Sequence, residues 1–585
     1  MNKLVKDHHS FSKPNESRIK HLNWDAEVDF ETRIITAIAT FDLVNAKDAK
    51  EVVFDVKDLT DYAVKVDGIE AKFELGEKND LLGSALTIDI TENTKQVSIS
   101  YKTSPDAGAL LWVEGEKPFL FSQSQAILAR TWIPCQDSPG VRYTYDAKVK
   151  VRQDLLALMS AENPTEKNDT GVYTFKMDQP IPSYLMALAV GNVEYRAIGD
   201  RTGVYAEPNM IEKAHYEFQE MDEMLVEAEK LYGPYVWDQY DVIVLPAAFP
   251  FGGMENPRLT FATPTIIAGD RSLTSLIAHE LAHSWSGNLV TNSTWDDFWL
   301  NEGFTVYFEM RIMEAVYGRE YSEMLALLSQ QGLMAENEEI MASSHPEDTE
   351  LKLKLEGRNP DDGMTAIAYD KGYFLLRLME ETVGRERFDA FLKEYFTSHS
   401  FQVMDTENFL TYLKANLLSD EEAENIKLTS WIYEKGIPDN IPTIQSDKMV
   451  KVDELAKGLT AASDVASIPW GTWKYQEQVR FLSQLPDGLK APFMAKLDQE
   501  FDITNIGNNE VLFEWLEQSI YRDYEPAFSR AESFLINVGR RKFLTPLYRA
   551  FKETERLELA RSIYTKARPN YHSVAVETMD DLLKD

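Results

Sequence analysis

Apolar residues change their spacing along this chain, and the change divides it into parts. In the first part the period is two. Runs at 34–41, 52–56, 86–90 and 97–101 place β-branched and aromatic residues in alternating or continuous strand patterns. Asp67-Gly68 and Asn79-Asp80 supply turns between them, and further strand-like stretches lie at 147–152, 173–176 and 189–193. From about residue 210 the period becomes helical: Ala214, Phe218, Met221, Leu225 and Ala228 share one face of a helix predicted over 214–231. A strand at 241–245 and a glycine-rich loop at 250–257 follow. Helices then run through the segment carrying His279 and His283, and through 304–317, 369–383 and 387–398. The polar run Lys435-Gly436-Ile437-Pro438-Asp439-Asn440-Ile441-Pro442 breaks this pattern as a linker does. Beyond it only helical stripes occur, such as Leu512, Trp515, Leu516 and Ile520, then Phe528, Ala531, Leu535 and Val538. Stacked helix pairs are the natural reading, although no fixed repeat period is present.

The pattern predicts a multidomain α+β chain. An all-β domain occupies 1–193, a mainly helical domain with a small sheet 194–437, a linker 438–452 and an all-α domain 453–585. Three or four domains also suit 585 residues at about 150 residues each.

Composition narrows the function. A net charge of −36 lacks the basic footprint that nucleic acid requires. It would attract cationic substrates, although a solvated acidic surface is the simpler meaning. No apolar run reaches the length of a membrane span. Residues 1–18 are polar and carry no apolar core of a signal peptide, so a cytoplasmic monomer is expected, with export of a processed chain left open. The single cysteine, Cys135, excludes an internal disulfide and suits a reducing compartment.

The chemistry concentrates in Ile277-Ala278-His279-Glu280-Leu281-Ala282-His283, with Glu302 after eighteen intervening residues. His279 and His283 at i and i+4 share a helix face and can hold one metal ion together. Two imidazoles, one carboxylate and an open fourth position make a catalytic zinc site, whereas structural zinc is closed by four protein ligands. One zinc ion per chain is expected. The pentad alone could be two ordinary polar residues on a helix. The apolar flanks Leu276, Ile277, Leu281 and Trp285 argue for burial, however, and buried polar groups need partners or a metal. Glu280, off the metal, is placed to act as general base and then acid. Glu309 falls on the same face as Glu302 two turns on, either as a partner of a ligand or as a surface acid. In Phe251-Gly252-Gly253-Met254-Glu255-Asn256-Pro257, the two glycines allow a substrate backbone to approach and Glu255 can meet a positive group.

Gly252-Gly253-Met254-Glu255-Asn256, His279-Glu280-x-x-His283 and Glu302 together resemble the M1 metallo-aminopeptidases (gluzincins). Residues 235–257 and Trp299-Leu300-Asn301-Glu302-Gly303 are most similar to the leukotriene A(4) hydrolase and aminopeptidase B branch. The resemblance extends to Gln123-Ser124-Gln125-Ala126, Pro134-Cys135-Gln136-Asp137-Ser138-Pro139, Tyr369-Asp370-Lys371-Gly372 and Gly539-Arg540-Arg541-Lys542-Phe543. It implies a saddle-like β domain, a thermolysin-like catalytic domain and a helical-repeat-like C-terminal domain. It also implies an aminopeptidase acting on short peptides with a free N-terminus, with broad or basic-leaning specificity. Glu255 and Gln125 would hold the α-amine, alongside Gln123, Gly252, Gly253 and Met254 as substrate-binding positions. Tyr369 would stabilise the oxyanion, and Arg540 with Lys542 would bind the peptide's C-terminal carboxylate. Without the resemblance, Tyr369 reads as a core tyrosine and 540–542 as a solvated basic cluster.

Asp361 aligns with an acid deep in the pocket for the first side chain, where it would favour arginine or lysine. It also reads as a plain turn acid after Asn359-Pro360. The branch includes a lipid-epoxide hydrolase sharing the same zinc. The tyrosine that lines its epoxide pocket three residues beyond Asp361 is Met364 here, which weighs against that alternative. A peptide-binding scaffold with a decayed site is opposed by the intact ligand, base and tyrosine set.

Overall fold

The computed structural model describes residues 3–584. Strand β1 (Ser17–Asp29) organises the first domain, although it is not among the runs read from the sequence. Its inward residues Ile19, Leu22, Trp24, Ala26 and Val28 are separated by polar ones, and a bulge between Ile19 and His21 shifts the alternation by one residue. It pairs antiparallel with β2 (Ile34–Asn45) and parallel with β3 (Arg142–Lys150). The seven-stranded sheet runs Val172–Pro182, β3, β1, β2, Gln96–Lys102, Thr60–Val66, Ile69–Glu70. A three-stranded sheet and a four-stranded sheet accompany it. In the four-stranded sheet, strand Phe119–Ser122 runs directly into Gln123-Ser124-Gln125.

The second domain begins with a five-stranded sheet in the order Glu194–Ala197, Thr202–Ala206, β4 (Tyr240–Val244), β6 (Leu259–Ala262), β5 (Gly253–Met254). Only β5 and Glu194–Ala197 run antiparallel to their neighbours, so β5 is a short antiparallel edge strand. Helices α1 (Ser275–Ala282), α2 (Trp299–Tyr317), α3 (Arg319–Met341) and α4 (Gly372–Val383) follow. The helix predicted over 214–231 is two helices, Ile211–Glu217 and Met221–Tyr232. The break follows Glu217, a buried residue whose carboxylate accepts the amides of Gly269 and Arg271 at 2.8 and 2.9 Å. The helix predicted from 369 starts regular α-geometry only at Gly372, after one π-helical turn, Ile367–Lys371.

A continuous apolar core runs through the β-rich and zinc-motif domains, whereas the C-terminal helices enclose a separate one around Leu497, Trp515, Leu516, Phe543 and Leu547. That third domain includes α5 (Asn509–Tyr521), α6 (Arg541–Glu553) and α7 (Ser573–Leu582). It docks partly through polar contacts. The Gly539 amide donates to the Ala247 carbonyl at 2.7 Å and the Arg541 amide to Pro250 at 2.8 Å. A Cβ on Gly539 would lie 2.6 Å from the Ala248 carbonyl oxygen, so only glycine permits this approach. Among the described residues, no helix is long and apolar enough to cross a membrane.

Candidate active site

The eight-residue helix α1 carries His279 and Glu280, and His283 is its C-terminal cap residue, still in helical conformation. Glu302 enters from the first turn of α2. The two Nε2 atoms are 3.2 Å apart, and Glu302 Oε2 lies 3.3 Å from His279 Nε2 and 3.5 Å from His283 Nε2. A tetrahedral zinc with bonds near 2.0–2.1 Å separates its ligand atoms by roughly 3.3 Å, so these side chains already match such an ion. Glu302 Oε2 is buried with no hydrogen-bond partner, which a metal would relieve.

The outer nitrogens fix the tautomers. His279 Nδ1 donates to Glu309 Oε2 at 3.0 Å, and His283 Nδ1 donates to the Ser286 carbonyl at 3.1 Å. Each Nε2 lone pair is thereby left for the metal. Glu309 is therefore a partner of a ligand, the first of the two readings open from its position. Thr305 had no such reading. Its hydroxyl is 3.1 Å from His283 Nδ1, and its only sequence signal is its place three residues after Glu302.

Glu280 is 5% exposed, and its Oε2 has no partner. Burial pushes its carboxyl up to about 8, against the pull of His279. The ligand atoms of Glu255, Glu280 and His283 all lie within 4.8 Å of one another. Glu255 is 3% exposed; burial, with Glu302 and Glu280 nearby, drives its carboxyl well above the usual range. Gln125 Nε2 donates to Glu255 Oε1 at 3.4 Å across the domain boundary. Asn288, which carries no sequence signal, donates to the Glu255 carbonyl at 2.7 Å and so holds its backbone. Gln123 instead donates to the Met254 sulfur at 3.3 Å.

Gly252, just before β5, and Gly253 within it serve the protein's own side chains. A Cβ on Gly253 would lie 2.3 Å from Glu280 Oε1, and one on Gly252 would lie 2.8 Å from Arg540 Nη2. This segment is thus held between Glu280 and Arg540, a closeness the sequence suggested only for a substrate.

Tyr369 sits in the π-helical turn, its ring stacked on His279 at a centroid distance of 6.2 Å and an interplanar angle of 14°. Burial, then Glu302 and Glu255, raise its hydroxyl well above the ordinary tyrosine value, and it hydrogen-bonds Glu302. It remains a proton donor. Arg540 is 7% exposed; its Nη1 is 3.3 Å from Thr265 Oγ1 and 3.4 Å from Glu510 Oε1. Lys542 is half exposed and binds Glu510 at 2.7 Å. No sequence feature singled out Glu510. Asp361 is half-buried. Burial pushes it up to about 6, while Arg541 pulls it down and the Ala126 amide donates to it.

Residues 216–431 match the peptidase family M1 domain, 18–185 the peptidase M1 N-terminal domain, and 473–583 the leukotriene A4 hydrolase C-terminal domain. The chain is 36% identical to the leukotriene A-4 hydrolase of Xenopus laevis, over 97% of each chain. It is 34% identical to leucine aminopeptidase 2 of Yarrowia lipolytica, over 94% of this chain and 89% of that one. The structure of yeast LTA4 hydrolase in complex with bestatin is similar to it with a TM-score of 0.91 and 31% identity, covering 99% of this chain and 98% of the other.

Proposed function

This chain belongs to peptidase family M1, a zinc-dependent peptidase working through metal-activated water, and we propose that it removes N-terminal residues from short peptides with a free α-amine. One observation carries the aminopeptidase reading: Glu255, buried and with no lysine or arginine ion pair among the described residues, has its carboxylate within 4.8 Å of the Glu280 carboxylate. A buried carboxylate so placed lacks only an ammonium, and the α-amine of a peptide supplies one beside the bond to be cut.

His279, His283 and Glu302 would hold one zinc ion. When bound, it supplies a Lewis acid that polarises a carbonyl oxygen and lowers the pKa of a water towards about 7. Glu280 takes the proton of the attacking water and passes it to the leaving amine. Tyr369 donates its hydroxyl proton in a hydrogen bond to the developing oxyanion. Glu255 and Gln125 anchor the ammonium, and Arg540 meets the carboxylate at the far end of a short peptide. Asp361 lies under the influence of Arg541, so a cationic first side chain has a partly neutralised acid to meet, and broad specificity is the better reading.

The relatives bear both leukotriene hydrolase and leucine aminopeptidase names. A lipid epoxide brings no ammonium to Glu255, which favours the peptide. Aminoacyl-anilides with N-acetylated controls test this directly. Free-amine substrates should turn over and acetylated ones should not, and Glu255→Ala should lose that discrimination while retaining zinc. Equal cleavage of blocked and free substrates would refute the amine anchor. Turnover of a fatty-acid epoxide with negligible anilide cleavage would refute the peptidase reading.

A further inference from the structure

Arg540 presents two donor edges with different surroundings. Nη1 is engaged by Thr265 Oγ1 and Glu510 Oε1 at 3.3 and 3.4 Å. Nε is buried with no hydrogen-bond partner. Nη2, on the same edge of the guanidinium as Nε, lies against Gly252, where a Cβ would come within 2.8 Å. The Nε/Nη2 fork, the edge that recognises a carboxylate with two parallel bonds, therefore lies beside Gly252, the residue before β5.

Lys542 takes no part in that fork. Its Nζ is 2.7 Å from Glu510 Oε2, and its side chain is 54% exposed. Glu510 has a cation on each oxygen, Arg540 on Oε1 and Lys542 on Oε2. It lies in the first turn of α5, where the helix dipole favours a negative charge, just beyond Asn508, whose side chain accepts the amides of Glu510 and Val511. The cap and the dipole keep this carboxylate in place, and Thr265 completes the outer contact of Nη1.

We infer that Glu510 is a positioning residue for substrate selection: by tying Arg540 Nη1 to Lys542 it holds the Nε/Nη2 fork toward the cleft, and so selects short peptides ending in a free carboxylate. The inference rests on the aminopeptidase reading above. Glu510 acts through Arg540 without touching the peptide, and Lys542 acts through Glu510 from the rim. Without the carboxylate, the two cations lose their common partner, and the guanidinium keeps the Thr265 hydroxyl and the face of Phe543, whose centroid lies 4.9 Å away, but no charged partner.

A tripeptide and its C-terminal amide differ only at the group the fork meets, so their relative turnover reports on it. Steady-state kinetics on both, with wild type, Glu510→Ala and Glu510→Gln, test the inference. Wild type should prefer the free acid. In Glu510→Ala the ratio of kcat/KM for the free acid over the amide should fall about tenfold, mainly through KM. Glu510→Gln, whose amide oxygen still accepts from Nη1, should recover part of the ratio. Parallel losses on both substrates would reduce Glu510 to a support of the fold. A rising ratio would make it a competitor of the substrate carboxylate. Either result overturns the inference, as does a wild type that cleaves both peptides equally, which would leave the aminopeptidase reading intact. A wild type that cleaves neither peptide overturns both.

Discussion

Gly303 and Gly372 meet backbone to backbone where α2 crosses the start of α4: a Cβ built on either lies 2.8 Å from the Cα of the other. The contact joins the residue after a metal ligand, Glu302, to the turn that carries Tyr369. The distance between ligand and tyrosine is thus set by the absence of two side chains.

Gly303→Ala should destabilise the protein by about 1–3 kcal/mol, because the new methyl meets backbone atoms that cannot swing away. Helix propensity alone would favour alanine by about 1 kcal/mol, so the sign of the change in denaturant unfolding reports the crossing directly. The turnover number should fall with it as Tyr369 moves from Glu302. A variant more stable than wild type and equally active would rule the close crossing out.

Glu309 accepts the Nδ1–H of His279, and such a partner both fixes the tautomer and makes the ligand more basic. Glu309→Ala is expected to weaken zinc binding about 10- to 100-fold in competition with a chromogenic chelator. Glu309→Gln should recover part of the loss, since its amide oxygen accepts the same proton. Unaltered affinity in both would return Glu309 to the status of a surface acid.

Glu280→Gln removes the proton acceptor and keeps the shape. It should retain one zinc per chain by elemental analysis while kcat falls about 10²- to 10⁴-fold. Wild-type rates on every peptide tested would transfer the base role elsewhere.

His572 joins the third domain to the first and is fully buried. Its Nε2 donates to the Ala109 carbonyl at 3.4 Å, its Nδ1 accepts the Val574 amide at 3.3 Å, and its ring stacks on Phe121. The Nδ1 contact needs the neutral imidazole, and burial lowers its pKa from 6.5 to about 4, although the bond to Ala109 favours the charged form. The unfolded chain then binds more protons between these values, so stability is fully present above about 6.5 and is lost as pH falls towards about 4. Relative to His572→Gln, the wild type should lose about 3 kcal/mol over that window in urea unfolding. Identical pH slopes for the two proteins would count against a neutral buried His572.

The strand and helix periods were legible in the sequence because each residue's burial repeats with the geometry of its own element. β1 was also legible from Leu22 to Val28, where apolar and polar residues alternate, yet no strand was read there; the bulge breaks the phase only before Leu22. The start of α4 was misplaced because its first turn takes π geometry where Gly372 meets Gly303, a contact that no local pattern announces.

The same division holds for the site. By itself the sequence pointed to His279 and His283 as metal ligands and to Glu280 as the proposed base, since the three lie within one helical segment and their spacing is their geometry. It also carried the family likeness that pointed to Gln125, Glu255, Tyr369 and Arg540. Tertiary structure alone decided how these meet. Gln125 reaches Glu255 across 130 positions, Arg540 reaches Thr265 across 275, and Glu510 stands between Arg540 and Lys542 with no motif to mark it. Periodicity encodes which face of an element is buried, but not which distant element covers it; that depends on packing among three domains.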